Sequence, residues 1–383
     1  MKYCFFTALA AVCLMFTACG GANAPTEEDE IIKNPQEEID PKTLENDYVY
    51  TLPVIFHVLY IDPNDATQYV SATRLKDILN NVNDLYAGNV YGPSEAVNVK
   101  FTLATHDENG RRLETPGVEY VQWKEEYPID VNALMTDNKR RYTRYIWDPN
   151  SYINVMVYHF KKNENINGSL LGISHMPYTV KGDHALAGLD TVTVAQIDKN
   201  ALQYAYCLSI NSRYINSESS RYTIDRGRSS YQYQPTDINV TLAHELGHYL
   251  GLHHVFAENR SKQTLTYADA CFDSDYCHDT PSYNRVAYEA DIAKYLAAHP
   301  DPNSISFEQL IRRTQCNGTF FNAENLMDYA ICSSFRFTKE QKKRIRNVLL
   351  YSPLIPGIKL NRKPIGRSET VDKPLNLPIR YVR

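Results

Sequence analysis

The segment Thr241-Leu242-Ala243-His244-Glu245-Leu246-Gly247-His248-Tyr249-Leu250-Gly251-Leu252-His253-His254 decides the reading of this chain. Residues four apart share one face of a helix, so His244 and His248 present their imidazoles to a single metal ion, with Glu245 beside it. Leu242, Leu246 and Leu250 fall on the opposite, apolar face, so packing and chemistry are separated on one helix. Gly251 permits the left-handed turn that ends the helix and redirects the chain. Either His253 or His254 can then return to the ion. The full spacing of His, Glu, two residues, His, two residues, Gly, two residues, His selects His254. A zinc ion held by three such ligands keeps an open position for water and lowers that water's pKa toward about 7. A carboxylate must take the proton, which assigns Glu245 as general base and Zn2+ as the expected cofactor.

Outward from this helix, the upstream chain reads as strands with one long helix among them. Residues 49–61 are rich in Val, Ile, Tyr and Phe and read as a buried strand. Ser71 caps a helix in which Leu75, Ile78, Leu79 and Val82 recur at helical spacing, ending before Gly88. Further strands are expected over 97–104 and 152–160, the latter buried on both faces, and shorter ones over 171–178 and 189–197. The fold class is therefore α/β (α+β), a mixed sheet followed by the motif helix. The 383 residues carry a net charge of -5 with 43% hydrophobic side chains, which suits a folded protein and gives no footprint for nucleic acid.

The motif resembles that of the metzincin metalloproteases, and the run from His244 to Phe256 is most similar to their pappalysin (cytophagalysin) branch. Asn325-Leu326-Met327-Asp328-Tyr329 resembles that branch's Met-turn, with Met327 as the apolar floor of the site. Ser274-Asp275-Tyr276-Cys277-His278-Asp279-Thr280-Pro281 resembles its Gly-Asp-x-Val-x-Asp-Thr-Pro signature, and Phe337-Thr338-Lys339-Glu340-Gln341 the start of its last helix. Thr338 and Gln341 also form a capping box ahead of Ile345, Val348 and Leu349. The resemblance implies a zincin fold: a twisted mixed sheet, an active-site helix and a smaller C-terminal subdomain that contains the Met-turn. It implies a zinc endopeptidase acting on proteins or peptides, with Tyr329 near the metal as a second catalytic residue and substrate added as a strand along residues 171–178. The branch cuts beside basic residues through an acid shortly after the Met-turn tyrosine. Here Ala330-Ile331-Cys332 follows without that acid, so an apolar or small residue is expected after the cut. The rival reading is a surface binding module or adhesin that keeps the zinc site without turnover.

The ends carry address rather than catalysis. Residues 1–18 read as a signal peptide, because the apolar run ending at Ala18 is too short to span a bilayer. Phe16-Thr17-Ala18-Cys19 resembles a lipobox, which makes Cys19 the lipidation site and the membrane a partner. Residues 19–48 are acidic and free of aromatics until Tyr48 and read as a tether. The catalytic domain is expected over 49–351 and an extended, proline-bearing tail over 352–383. The expected location is that of an exported bacterial lipoprotein of the outer membrane, extending to the cell surface, with a monomeric chain.

Of the eight cysteines, Cys207, Cys271, Cys277, Cys316 and Cys332 remain in the folded part. An oxidising compartment favours two disulfides among the last four. The resemblance pairs Cys271 with Cys316, leaving Cys277 with Cys332; the residues alone allow three pairings. Cys207 reads as a small buried hydrophobe. Asp275 and Asp279 are candidate ligands for Ca2+, with a solvated turn as the equal alternative.

Overall fold

The computed structural model of the chain describes residues 40–162, 168–226, 231–260 and 265–360. The expected signal peptide, Cys19 and most of the acidic tether lie outside them, as does the tail beyond 360. Order begins earlier than Tyr48. Helix α1 (Pro41–Asn46) buries Leu44, and the Arg346 guanidinium donates to the carbonyls of Leu44, Glu45 and Tyr48. One buried arginine thus satisfies backbone oxygens that the acidic composition alone leaves to solvent.

Strand β1 (Tyr50–Tyr60) is the axis of the sheet. One of its edges is shared end to end by β2 (Val99–Leu103) and β3 (Val118–Gln122), both parallel to it, and its other edge pairs with parallel β4 (Ile153–Tyr158). Every residue of β4 is buried, as expected of a strand covered on both faces. Its one polar member, Asn154, accepts from the Trp147 amide at 2.7 Å and pairs with His57 Nε2 at 2.9 Å, so the interruption is a satisfied one. Helix α2 (Ala72–Ala87) lies between β1 and β2 in sequence, capped by Ser71 and ended at Gly88, and buries Leu75, Ile78, Leu79 and Val82.

The last two strands set the site. Strand β5 (Gly172–Ser174) is the terminal strand of the sheet, antiparallel to β8 (Leu208–Asn211), which in turn is parallel to β4. The strand expected over 189–197 forms only as β7 (Thr191–Val192), paired with β6 (Thr179–Val180) outside the main sheet. Thr191 is exposed and Val192 only half-buried, so that stretch has no core face to order it. Strands β3 and β8 escape a sequence reading. Four residues containing Ser209 and Asn211 give no apolar run, and Ser209 is buried because the Tyr158 hydroxyl donates to it at 3.2 Å.

Helix α3 (Ile238–Tyr249) carries the motif and packs against α2, β5 and β8. Asp237 caps it, accepting from the amides of Asn239 and Val240. Two polar contacts from α2 fix its position: Asn81 Nδ2 donates to Asn239 Oδ1 at 3.1 Å and the Tyr86 hydroxyl to the Ala243 carbonyl at 3.0 Å. Leu242, Leu246 and Leu250 are fully buried, and so are the histidines opposite them, so both faces of α3 are covered. Helix α4 (Arg285–Ala298) and α5 (Lys339–Tyr351) follow, α5 opening with the expected capping box and burying Ile345, Val348 and Leu349. The described residues from Pro41 onward cluster as one unit, so the C-terminal part is not a separate body.

The tail does not leave the domain at Ser352. Leu354 and Ile355 are fully buried, the Tyr249 hydroxyl donates to the Leu354 carbonyl and the Tyr50 hydroxyl to that of Ile358. Residues 352–356 are therefore buried in the domain, despite two prolines that read as an extended end.

Candidate active site

Helix α3 ends at Tyr249, and Gly251 takes φ +93°, the left-handed conformation that the redirected chain requires. A Cβ there would also lie 2.7 Å from Val348 Cγ2 of α5. Arg344 of α5 donates through Nε to the Gly251 carbonyl at 2.6 Å, which holds the turn. The chain then returns His254, not His253, to the other two histidines. His253 is buried against Tyr276, with ring centroids 5.5 Å apart, rather than standing on an open rim.

The three imidazoles converge through Nε2. His254 Nε2 lies 3.1 Å from that of His244 and 3.1 Å from that of His248. Each Nδ1 faces an acceptor: the Leu326 carbonyl at 2.7 Å for His244, the Leu252 carbonyl at 2.8 Å for His248, and Glu258 Oε1 at 2.5 Å for His254. An oxygen of this kind accepts, so each neutral ring carries its proton on Nδ1 and directs a lone pair from Nε2 to the shared point. Three lone pairs aimed at one another repel unless a cation lies between them. Nitrogens at the usual zinc distance of ~2.0–2.1 Å in a tetrahedron sit about 3.3 Å apart, close to the observed spacing. The donor set therefore fits a metal. Among the described residues it is the one group of three or more His, Cys, Asp or Glu side chains close enough to share an ion.

Glu245 is fully buried beside the triad, and the sheet edge reaches it. A Cβ built on Gly172 of β5 would lie 2.6 Å from Glu245 Cγ and 2.7 Å from Oε1, so the absence of a side chain at 172 makes the carboxylate's place. Below, Met327 is fully buried, and a Cβ on Gly247 would come within 2.5 Å of its sulfur. The helix and the Met-turn thus approach each other at a glycine. Tyr329 is also buried, its ring centroid 4.4 Å from that of His254 and 5.9 Å from that of His244.

Several further residues hold this floor, and of them Tyr283, Arg285, Arg313 and Glu258 lie outside every motif. Asn325 and Gln341 exchange side-chain hydrogen bonds at 2.9 and 3.0 Å, tying the Met-turn to the capping box of α5. Asp328 Oδ1 accepts from the Tyr283 hydroxyl and the Tyr329 amide, and its carboxylate lies 3.6 Å from Arg285 and 3.7 Å from Arg313. Both arginines are buried and also donate to the carbonyls of Ala330 and Ile331. Removing the Asp328 carboxylate would leave the two buried cations without the charge they share. Glu258, four residues after His254, is fully buried against it. Its spacing was legible, but only the fold shows that the pair meets.

Other expected sites are not gathered. Asp275 accepts from Thr280 Oγ1 at 2.7 Å and the Cys277 amide at 3.0 Å, while Asp279 accepts from the Glu340 amide at 3.0 Å. The two carboxylates serve a turn and its docking on α5. Burial raises the Asp275 carboxyl to about 8, against the lowering effect of the Thr280 and Cys277 hydrogen bonds. Cys271 and Cys316 form the expected disulfide. Cys277 and Cys332 do not pair: Cys277 lies in the turn beside Asp275, whereas Cys332 donates to the Asn325 carbonyl and packs with Ile311 and Ala323. Cys207 is buried and free, its thiol 3.6 Å from the Met135 sulfur. Burial pushes the Cys332 thiol up to about 12 and those of Cys207 and Cys277 higher still, so none is a ready nucleophile.

Residues 214–350 match the peptidase family M43 model, described as pregnancy-associated plasma protein-A. No curated protein matches. Among solved structures, mature mirolysin of Tannerella forsythia in complex with a cleaved peptide is 20% identical over 78% of this chain and 90% of its own, with a TM-score of 0.47. A promirolysin mutant of the same organism is 18% identical over 80% and 82%, with a TM-score of 0.44, and mirolysin in complex with a small compound is 19% identical over 78% and 91%, at 0.44. The matched segment contains the triad, Glu245, the Met-turn and nearly all of α5, so the part of this chain that carries the site is similar to the pappalysin metallopeptidases.

Proposed function

We propose that the chain is a zinc-dependent endopeptidase of proteins or peptides, anchored by a lipid on Cys19 to the outer membrane of a bacterium and acting as a monomer. One observation carries the chemistry: three Nε2 lone pairs converge beside a buried carboxylate, with every Nδ1 proton held by an acceptor. His244, His248 and His254 would hold the zinc, which supplies a Lewis acid and a water of lowered pKa. Glu245 accepts the proton of the attacking water and returns it to the leaving amine. The Tyr329 hydroxyl donates to the oxyanion, and its ring, packed edge-on to that of His254 and tilted against that of Phe256, fixes the approach. Substrate adds as a strand to the outer edge of β5, whose Gly172 brings it next to Glu245.

The test compares the protein with its Glu245→Gln twin on a diverse peptide pool read by mass spectrometry, with zinc content measured in both. Cleavage by the parent alone is the expected result. Zinc in both with cleavage by neither would move the weight to a binding protein that keeps the metal without turnover.

A further inference from the structure

Arg285 is the first residue of α4, where its charge opposes the helix dipole, and its side chain is buried. Neither condition favours an arginine there, so the reason for it lies in what it touches. Its Nε donates to Glu289 Oε1 at 3.0 Å on the same helix, and Asp328 Oδ1 lies 3.6 Å from Nη1. The charge is therefore matched. The remaining donors reach the segment that leaves the Met-turn: Nη1 donates to the Tyr329 carbonyl at 3.4 Å and Nη2 to the carbonyl of Ala330. Nη1 also donates to the Tyr283 hydroxyl at 3.3 Å, and that hydroxyl donates in turn to Asp328.

Tyr329 is thus held at both ends of its main chain. Its amide donates to Asp328 Oδ1 at 2.7 Å, its carbonyl accepts from Arg285, and the guanidinium carbon of Arg285 stands 5.7 Å from its ring centroid. The same guanidinium lies 5.9 Å from the ring of Phe256, which packs against both Tyr329 and His254. Arg313, the other neighbour of Asp328, donates to the carbonyls of Leu310 and Ile331 and lies over the ring of Tyr288, so its grip falls further along the chain.

We propose that Arg285 is a positioning residue that holds Tyr329 where its hydroxyl meets the oxyanion. The proposal rests on the endopeptidase reading and on the part of Tyr329 in it. A lysine at 285 keeps the charge but not the planar fork, because one ammonium cannot meet Glu289 and two successive carbonyls in a single plane.

The experiment uses the zinc-loaded full chain and two readouts: kcat and KM on a cleaved peptide, and the Kd of a phosphinic peptide whose tetrahedral phosphinate stands in for the oxyanion. Arg285→Lys should lower kcat about tenfold and weaken phosphinate binding about tenfold, with KM and zinc content unchanged. On a Tyr329→Phe background the same substitution should change either readout by less than about twofold, since the hydroxyl it positions is gone. A purely structural arginine would cost the same on both backgrounds. That result, or wild-type values in Arg285→Lys, overturns the proposal. If Arg285→Lys does not fold, Tyr283→Phe takes its place in the same cycle, because it removes the hydroxyl shared by Arg285 and Asp328 and leaves every charge. Where the parent binds the phosphinate but cleaves nothing, the binding cycle separates the two readings. A loss seen only with Tyr329 present sinks the peptidase and keeps the positioning role, while an equal loss on both backgrounds sinks the positioning role.

Discussion

Gly172→Ala tests whether the sheet edge positions the general base. The added Cβ would stand 2.6 Å from Glu245 Cγ, 2.7 Å from Oε1 and 3.0 Å from Cδ, whereas ordinary contact begins at 3.4 Å. The carboxylate must therefore retreat by about 1 Å, since β5 is paired to β8 on its other side and yields less readily than a side chain. A displacement of about 1 Å in a reacting group costs on the order of a hundredfold, or roughly 3 kcal/mol of barrier. The triad is untouched, so zinc content should remain one per chain. The assay is kcat/KM on a peptide substrate with metal analysis and thermal melting on the same samples. On a Glu245→Asp background, where the carboxylate is one methylene shorter, the same substitution should cost far less, because the clash is removed. Wild-type kcat/KM in Gly172→Ala at full zinc occupancy would refute the reasoning. So would loss of zinc in step with activity, which would place the damage in the fold.

Other perturbations follow from neighbouring contacts. Glu258→Ala should lower zinc affinity about 10–100-fold in a chelator competition, because His254 loses the acceptor that fixes its tautomer, with a smaller loss for Glu258→Gln; unchanged affinity would make the pair incidental. Tyr329→Phe should reduce kcat at unchanged zinc content, and an unaltered kcat would leave the residue a packing group only. Asp275 binds its proton more tightly folded than unfolded, its carboxyl being raised from 3.8 to about 8, so ionisation opposes folding across that interval. Wild-type stability should fall relative to Asp275→Asn by up to about 1.4 kcal/mol per pH unit between those values and run parallel to it above. A difference that does not vary with pH would show that the carboxyl titrates normally. Asn325→Ala should lower Tm, since it leaves the buried Gln341 amide without its reciprocal partner, and a Tm within error of wild type would remove that link from the account.

What could be read from the sequence is what depends on nearby residues. The ligands His244, His248 and His254, the turn at Gly251, the Ser71 cap and the Thr338–Gln341 box are all fixed by spacings of three to ten positions, and each stands where that spacing puts it. Strand β4 was legible because its run is apolar but for Asn154, and β8 was not, because its four residues are ordered by neighbours rather than by pattern. The boundaries misread at both ends have one cause. Leu44 and residues 352–360 look like linker by composition, yet Arg346, Tyr50 and Tyr249, distant in the chain, supply partners for their backbone. The wrong cysteine pair has the same origin. Membership in one cluster of four says nothing about which thiol lies in the Asp275 turn and which lies under the Met-turn.

The same distinction governs the metal site. Helix periodicity explains why His244 and His248 share a face, but the direction of each lone pair is set by what its Nδ1 touches, and those partners come from three separate places. Two are main-chain carbonyls, of Leu326 and Leu252, which any residue type supplies and which therefore leave no trace in sequence. They cannot be removed by a side-chain substitution either. His254 instead faces a side chain, Glu258, through a contact with both partners shielded from water. The histidine whose place rests on a glycine turn, rather than on the helix, is thus the one that faces a carboxyl acceptor. It follows that the third ligand is the point at which metal affinity can be tuned in this chain without disturbing α3.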